Sequence, residues 1–309
     1  MKHLYIVNPI AGGKKNNHKE TVSKIDSFAK SLNASYEIHT TKAPMDACKK
    51  IISEAEKGDH LRVYACGGDG TLNECVNGAA NRDNVAITHY PCGTGNDFIK
   101  TFGDDSAEKF RNLNALAEGF IHPIDLIKCD ERYGINICSV GIDARIGIDV
   151  HKYSRIPIIG GSMGYVVSLI VNVIKGVTRK FQITLDDIEI DKEITLVCAC
   201  NGRYYGGGFN PVPNAMPDDG LLDCLIVEPV SRLKVAEIVG RFSKGKFSEF
   251  PEIFTYRRCT ELEIACEREF GVNVDGEALY TKKIKFELIP KGVRFIFPQK
   301  LEYFKATTQ

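Results

Sequence analysis

The first 127 residues alternate between short apolar runs and stretches of helical periodicity, and this alternation constrains the fold more than any other feature. The apolar runs at residues 4–7 and 61–66 predict buried strands. Between such runs, apolar residues recur every three or four positions, as at Val22, Ile25 and Leu32, which predicts helices. Alternating strands and helices with short connections are typical of a parallel sheet covered by helices. We therefore expect an α/β domain over residues 1–127, with helices on both faces of its sheet.

The periodicity changes after about residue 125. Short runs that resemble strands, separated by turns such as the one predicted at residues 290–292, fill most of residues 133–297. Only residues 163–174 and 232–242 have a clearly helical pattern. We expect a second, mostly antiparallel β domain over residues 128–297, and we expect the tail, residues 298–309, to pack back on the first domain.

Charge and composition exclude several classes of protein. The 309-residue chain has 40 Lys and Arg residues and 40 Asp and Glu residues, so its formal net charge is zero. Nucleic-acid binders usually carry a basic excess, so we expect no nucleic-acid partner. The first residues lack the apolar stretch of a secretory signal, and the apolar stretch at residues 163–177 is too short and too polar for a transmembrane span. Eleven cysteines without a signal peptide are typical of a reducing compartment, so we expect a cytoplasmic protein.

The segment Gly67-Gly68-Asp69-Gly70-Thr71 lies between a predicted strand and a predicted helix. Consecutive glycines let backbone amides approach a phosphate closely, and the start of a helix adds partial positive charge. A carboxylate at Asp69 would repel phosphate unless it supports a metal ion or a structural network. The alternative is a tight glycine turn capped by Asp69, and the pentapeptide alone leaves both interpretations open.

Two further loops favour phosphate binding. Residues 8–15 follow the first predicted strand, and residues 91–98 follow the fourth. Each loop places small residues and a polar side chain at the carboxyl end of a parallel strand, where ligands bind in sheets of this type. The P-loop pattern G-x-x-x-x-G-K-[ST] does not occur in the sequence, so the phosphates would be held in a different way.

Together with residues 214–222 and the triplet Asp275-Gly276-Glu277, these loops resemble the catalytic domain of the diacylglycerol kinase and sphingosine kinase superfamily, in its soluble bacterial lipid kinase branch. The resemblance covers nearly the whole chain, and the motifs in this order are highly specific. It implies an amino-terminal domain similar to NAD kinases, followed by a β-sandwich domain for the lipid substrate. Without the resemblance, Asp275-Gly276 would be interpreted as an ordinary turn between two strands.

The resemblance implies a set of ATP-binding residues and an acidic network that supports Mg²⁺. The network consists of Asp69, Asp97 and Asp125. The implied ATP contacts are Asn8, Pro9, Ile10, Ala11, Gly12, Thr40, Gly67, Gly68, Asp69, Gly70, Thr71, Leu72, Asn73 and Thr94. Some relatives have a lysine directly after residue 12 that binds an anionic product, whereas this chain has Gly13 there. The role of Lys14 or Lys15 is therefore left open.

The resemblance also implies a catalytic pair and a second metal site. Asp275 and Glu277 match the catalytic acidic pair, one of which acts as general base. Asp219, with the main-chain carbonyl groups of Met216 and Leu221, matches a structural Mg²⁺ site outside the catalytic centre. Phosphoryl transfer needs in-line positioning and neutralisation of phosphate charge, and carboxylates near the γ-phosphate hold the Mg²⁺ ion.

The implied activity is ATP- and Mg²⁺-dependent phosphorylation of a lipid hydroxyl, most closely that of diacylglycerol to phosphatidic acid in phospholipid metabolism. The motifs do not distinguish diacylglycerol from phosphatidylglycerol or a long-chain alcohol. A lipid substrate implies transient, peripheral contact with a membrane surface, and an exposed sheet edge in the β domain would allow a homodimer.

Two other functions stay open at this point. A kinase for a small soluble substrate, particularly NAD, is the second interpretation, because NAD kinases share the Gly-Gly-Asp-Gly loop. The loops at residues 8–9 and 93–98 favour the lipid branch. A catalytically silent nucleotide-binding regulator is the third interpretation. The presence of Asp69, Asp97, Asp275 and Glu277 argues against it, because a silent module needs no such acidic set.

Overall fold

The computed structural model describes residues 1–12, 18–141 and 178–306. Contacts divide the chain into two compact units, which are Met1–Ile124 together with Lys291–Gln309, and Asp125–Pro290. That residues 1–127 and 128–297 form separate domains stays a prediction. The helix predicted at residues 163–174 lies outside the described residues. Among the helices that are described, none is both long and apolar enough to cross a membrane.

The sheet of the first unit begins with four parallel strands. They are β1 (Lys2–Val7), β2 (Ser35–Thr40), β3 (Leu61–Gly67) and β4 (Val85–Pro91). Their order in space is β2-β1-β3-β4, and all neighbouring pairs are parallel. Every residue of β3 and β4 is buried, as expected for central strands of a parallel sheet with both faces covered.

The register makes these strands end at one edge of the sheet. Val7 lies opposite Thr40 of β2 and opposite Cys66 of β3. Gly67 lies opposite Pro91 of β4. The loops that follow the strands therefore share this edge.

Helices connect the strands of the first unit. They are α1 (His18–Ser31), α2 (Asp46–Ala55), α3 (Asp69–Ala79), α4 (Asp97–Lys100), α5 (Ser106–Phe110) and α6 (Leu113–Ala117). The surface helix α1 fully buries only Ile25 and Ala29. In contrast, α3 buries most of its length, including Thr71, Leu72 and Asn73. The segment predicted to bind nucleotide is thus fixed by packing along α3.

The second unit is built from antiparallel strands. They are β6 (Arg132–Gly134), β7 (Ile137–Gly141), β8 (Arg179–Leu185), β9 (Ile188–Ile194), β10 (Leu196–Cys200), β11 (Leu222–Val227), β12 (Phe254–Cys259) and β13 (Glu261–Val274). Two strands, β5 (Phe120–Cys129) and β14 (Glu277–Phe297), cross the boundary between the units. The order β12-β11-β10-β7-β13-β14 forms the main path, and β8 pairs with β13 and β9.

Side chains of the second unit alternate between two apolar cores. Val197 and Ala199 of β10 belong to one core, whereas Leu196, Cys198 and Cys200 belong to the other. This alternation follows from the period of two along a strand. The helix α7 (Arg232–Phe242) covers the second core with three buried side chains. Because both faces are covered, β10 and β11 are buried along their whole length.

The last part of the chain contributes to the core of the first unit. Residues 294 and 295 of β14 pair in parallel with β4. The ring of Phe297 lies 4.8 Å from that of Phe102 and 4.9 Å from that of Phe304, measured between centroids. Phe304 belongs to the short helix α8 (Glu302–Ala306). Edge-to-face aromatic contacts at such distances add to the apolar burial that holds this segment in place.

One expectation about the strands is wrong. The turn predicted at residues 290–292 does not separate two strands, at 283–288 and 292–297, because both ranges belong to β14. Lys291 has a φ of 54°, which makes the backbone locally irregular. The strand still continues, because β13 pairs with it before this point and β4 pairs with it afterwards. Strand β9 was not predicted, since its exposed, charged sequence lacks the apolar run of a buried strand.

Candidate functional site

The first unit brings two predicted nucleotide-binding segments into direct contact. Asn8 follows β1, and its Nδ2 donates a hydrogen bond to Oγ1 of Thr71 in the first turn of α3 at 3.0 Å. Thr40 ends the neighbouring strand β2 at the same edge of the sheet. The segments around residues 8 and 71 are therefore held against each other by a side-chain bond.

The turn after β1 is also held by Asn8. Its Oδ1 accepts a hydrogen bond from the Ile10 amide at 3.1 Å, and its carbonyl oxygen accepts one from the Ala11 amide at 3.3 Å. The side chains of Pro9 and Ile10 are exposed, whereas Ala11 is buried. Lys14 and Lys15, considered as contacts to an anion, lie outside the described residues, and their role stays a prediction.

The loop after β4 is tied to the loop after β3 through one oxygen atom. The Gly67 carbonyl accepts hydrogen bonds from the Cys92 amide at 2.8 Å and from the Gly93 amide at 3.1 Å. It also lies 3.0 Å from Nε2 of His89 on β4. Because a carbonyl oxygen can only accept, His89 carries its proton on Nε2 and donates it. Three donors therefore fix the end of β3 against the loop at residues 91–97.

The two loops approach each other so closely that only glycine fits. A Cβ atom on Gly93 would lie far inside van der Waals contact with the Cα atom of Gly68. Thr94 lies exposed in the same loop. The loop ends at Asn96, which has a φ of 50° and is buried. The sequence therefore has glycine at both positions where backbone meets backbone.

Two of the predicted acidic residues lie next to each other. The backbone amide of Asp97 donates to Oδ1 of Asp69 at 2.7 Å. A Cβ atom on Gly95 would lie 2.8 Å from Oδ2 of Asp69 and 3.6 Å from Oδ2 of Asp97. Lys100 donates to Oδ1 of Asp97 at 2.5 Å, so one cation offsets part of the negative charge. Oxygen atoms from both carboxylates therefore lie close to Gly95.

This donor set fits a Mg²⁺ ion that keeps other ligands. Magnesium prefers hard oxygen ligands, and proteins usually bind it through one or two carboxylates while phosphates and water supply the rest. In the part of the chain that the structure describes, no group of three or more His, Cys, Asp or Glu side chains is arranged around a common point. The protein would thus supply Asp69 and Asp97, and a bound nucleotide would supply phosphate oxygens.

Asp125, the third predicted member of the network, begins the second unit. Its amide donates to the Pro217 carbonyl at 2.7 Å, and its Oδ2 accepts from the Gly220 amide at 2.8 Å. The residue is buried, so these bonds offset the loss of hydration of its polar groups. Asp125 is therefore bonded to the loop that carries Asp219.

The predicted catalytic pair consists of two very different carboxylates. Asp275 has a φ of 50° and accepts three backbone hydrogen bonds, from Ile135 at 2.7 Å and from Asn136 and Ile137 at 3.0 Å each. Glu277 begins β14 with an exposed side chain. Within the described residues, its carboxylate has no hydrogen bond or ion pair. One carboxylate of the pair thus holds the turn, and the other is exposed.

The predicted structural metal site contains an ion pair. Oδ1 of Asp219 accepts from the Leu221 amide at 3.1 Å, and Oδ2 accepts from the guanidinium group of Arg258. Asp223 lies beside them, and its burial raises the pKa of its carboxyl group. Oxygen donors suit Mg²⁺, but a cation at Asp219 would share that carboxylate with Arg258. The set Met216, Asp219 and Leu221 stays a prediction.

Sequence reasoning did not identify His89. It is fully buried, and burial lowers the pKa of its imidazole to about 4, so the ring is neutral at physiological pH. No motif marks this residue, since a single histidine within an apolar strand looks like a core residue. Only its distance to the Gly67 carbonyl shows that it connects the two loops.

Comparisons with known proteins match both units. Residues 2–129 match the diacylglycerol kinase catalytic domain. Residues 136–297, more than half of the chain, match the YegS C-terminal NAD kinase beta sandwich-like domain. These matches confirm the predicted fold class, an α/β domain with a parallel sheet followed by a mostly antiparallel β-sandwich of NAD-kinase type.

Individual relatives agree with these matches. The chain is 28% identical over 264 residues to "Probable lipid kinase YegS-like" of Shewanella frigidimarina (strain NCIMB 400), with 84% of each chain covered. A solved structure of a diacylglycerol kinase from Bacillus anthracis str. Sterne is 25% identical, with a TM-score of 0.70 over 96% of this chain and 97% of that one. Another structure from the same strain is 26% identical, with a TM-score of 0.75 and the same coverage.

Replacing Gly93 by alanine should weaken nucleotide binding. The new Cβ atom would push the Gly93 and Gly68 backbones apart, and overpacking of this kind costs about 1–3 kcal/mol. We expect ATP affinity, measured by calorimetry, to fall by about tenfold. Gly240→Ala is the matched control, because the space around Gly240 is open and a helical site favours alanine. Equal ATP affinity in the two variants would contradict this account of the loop contact.

His89 should make stability depend on pH. Its folded-state pKa lies below the ordinary value of 6.5, so the unfolded chain binds the proton more tightly. The contribution of the neutral His89 ring to the free energy of unfolding is fully present above pH 6.5 and is lost as the pH falls towards 4. Between pH 7.5 and pH 5, the wild type should lose about 2 kcal/mol more of its free energy of unfolding than His89→Gln. Urea unfolding at both pH values measures the difference, and parallel losses would be inconsistent with a buried, neutral His89.

Proposed function

Because this chain belongs to the lipid kinase family that joins a diacylglycerol kinase catalytic domain to a YegS-type β-sandwich domain, we propose that it transfers the γ-phosphate of ATP to the hydroxyl group of diacylglycerol, with Mg²⁺ as cofactor. One observation carries the proposal. The loops after β3 and β4 share the Gly67 carbonyl and place the carboxylates of Asp69 and Asp97 next to each other. A surface with backbone amides and two carboxylates suits a metal-bound triphosphate.

The nucleotide would lie along the edge where the parallel strands of the first unit end. Residues 8–12, Thr40, residues 67–73 and Thr94 are the proposed contacts. The start of α3 lies at this edge, and the unpaired amides of a helix start favour an anion. The hydrogen bond between Asn8 and Thr71 would keep the turn after β1 and the first turn of α3 at a fixed separation.

Mg²⁺ would be held by Asp69 and Asp97, with Asp125 as the further predicted member of the network. The ion supplies neutralisation of phosphate charge, which phosphoryl transfer requires. Lys100, bonded to Asp97, limits the electrostatic repulsion between the two carboxylates. A structural Mg²⁺ at Asp219, Met216 and Leu221 is a separate proposal, in which Arg258 would share the Asp219 carboxylate.

We assign the role of general base to Glu277 rather than to Asp275. A general base must reach the proton of the substrate hydroxyl and must have a free lone pair. The Asp275 carboxylate already accepts three backbone hydrogen bonds, whereas the Glu277 carboxylate is exposed. In this scheme Glu277 takes the proton of the acceptor hydroxyl as the hydroxyl oxygen attacks the γ-phosphorus. The bond between the γ-phosphorus and the β,γ-bridging oxygen breaks, and ADP leaves. Asp275 orients the turn that presents Glu277.

A lipid acceptor sets the location of the reaction. We propose that the protein works from the cytoplasm and contacts the membrane surface transiently, because its proposed acceptor is a membrane lipid. We also propose that an exposed sheet edge of the second unit supports a homodimer.

A panel of acceptors tests the proposed function. Purified protein, γ-labelled ATP and Mg²⁺ are incubated with mixed micelles that contain diacylglycerol, phosphatidylglycerol or a long-chain alcohol, and with NAD in a parallel reaction. We expect label in the chloroform phase with diacylglycerol. Label in NAD alone would show that the chain is a kinase of a small molecule. Nucleotide binding without transfer to any acceptor would favour a silent regulator.

Substitution of the two carboxylates separates their roles. Glu277→Gln should lower kcat by about 10²–10⁴-fold with unchanged thermal stability, because the side chain is exposed and only its basicity is lost. Asp275→Asn should lower kcat as well and should cost about 1–3 kcal/mol of stability, because the Ile135 amide loses its acceptor.

Glu287→Gln, farther along β14, is the matched control and should leave both quantities unchanged. The assignment of the base would be wrong if Glu277→Gln kept the turnover of the wild type while Asp275→Asn lost activity without losing stability.

A further inference from the structure

Asn201 connects the backbone of Asp125 with the backbone segment that binds the Asp275 carboxylate. It directly follows β10 and is fully buried. Its Nδ2 donates to the Asp125 carbonyl at 2.9 Å and to the Ile135 carbonyl at 2.8 Å. Since both acceptors are carbonyl oxygens, the atom that faces them must be the amide nitrogen. The orientation of the side chain is therefore fixed by its partners.

Each of the two acceptor residues is bonded to a functional loop. The Ile135 amide donates to Oδ2 of Asp275 at 2.7 Å, so the same peptide segment joins Asn201 to the catalytic turn. Asp125 bonds the Pro217 carbonyl through its amide and the Gly220 amide through its carboxylate. One side-chain amide thus sets the distance between the segment of Asp125 and the turn of Asp275.

The backbone of Asn201 strengthens the same arrangement. The amides of Asn201 and Gly202 both donate to the Asn136 carbonyl, at 2.8 Å and 2.9 Å. The Asn136 amide in turn donates to Oδ1 of Asp275 at 3.0 Å. Residues 135–137 are therefore held on one side by Asn201 and on the other by Asp275, with little freedom to shift.

We propose that Asn201 is a positioning residue, which holds Asp125 and the Asp275–Glu277 turn at a fixed separation for phosphoryl transfer. This inference rests on the proposed function for its kinetic consequence, but its structural part does not depend on it. The hydrogen bonds that the described structure gives Asn201 all lie within the second unit, so its loss should lower kcat and leave the KM for ATP unchanged. A general base that is displaced loses part of its contribution, which is typically about 10²–10⁴-fold.

The test compares Asn201→Ala with Thr195→Val. Thr195 lies at the other end of β10, is also buried, and donates from Oγ1 to the Glu228 carbonyl at 2.9 Å. Both variants lose a buried donor of the same unit, so both should lower the melting temperature. Only Asn201→Ala should lower kcat, by about tenfold or more, with KM for ATP changed less than about twofold. Asn201→Ser, which keeps a hydroxyl donor, replaces the alanine variant if that protein does not fold.

Hydrogen exchange gives a readout that needs no activity. In Asn201→Ala, the amides of residues 135–137, which are bonded to Asp275, should exchange at least about tenfold faster than in the wild type, whereas Thr195→Val should leave them unchanged. If the wild type phosphorylates no acceptor, the proposed function fails, and the exchange rates alone decide the role of Asn201. The proposal would be overturned if the amides of residues 135–137 exchanged at equal rates in Asn201→Ala and Thr195→Val, or if the two variants had equal kcat.

Discussion

The Gly67 carbonyl oxygen is the point on which the proposed nucleotide-binding edge of the first unit depends. Three hydrogen bonds converge on it, from His89 and from the amides of Cys92 and Gly93. All three come from β4 or the loop that follows it, so the ends of two neighbouring parallel strands behave as one rigid structure. That rigidity lets the Gly68 and Gly93 backbones lie in contact and keeps Asp69 beside Asp97. Because hydrogen bonds within the protein fix these atoms, we expect the proposed binding of a nucleotide to need little further ordering.

In the second unit, backbone hydrogen bonds hold a carboxylate in place. A carboxylate in a turn would normally be hydrated, but Asp275 satisfies its oxygen atoms with the amides of residues 135–137. This arrangement leaves Glu277 as the exposed carboxylate of the pair. Asn201 extends the network to Asp125 through two carbonyl groups. The pattern is consistent with the general requirement that a catalytic group be held in place by neighbours that do no chemistry themselves.

Much of this organisation could be predicted from the sequence, because it depends on local patterns. The strand–helix alternation gives the parallel sheet, and the helix at residues 232–242 was identified by its apolar periodicity. The glycine-rich loops were placed correctly at the strand ends. The continuous strand β14 was missed, since Pro290-Lys291-Gly292 resembles a turn and only pairing with β13 and β4 shows otherwise.

The residues that escaped prediction act through contacts distant in sequence. His89 meets a carbonyl 22 positions away, and Asn201 meets carbonyls 66 and 76 positions away. Neither belongs to a motif that marks chemistry, because each donates to backbone rather than to a ligand. The different roles of Asp275 and Glu277 were equally hidden, since the sequence shows two carboxylates and says nothing of the three amides around one of them.

The central claim is that this chain phosphorylates a lipid rather than a soluble nucleotide. The most direct measurement compares kcat/KM for diacylglycerol in mixed micelles with kcat/KM for NAD, with the same preparation of protein, ATP and Mg²⁺. The account predicts a preference for diacylglycerol of at least about 10²-fold, a ratio typical of discrimination by an acceptor site. A preference of similar size for NAD would contradict it.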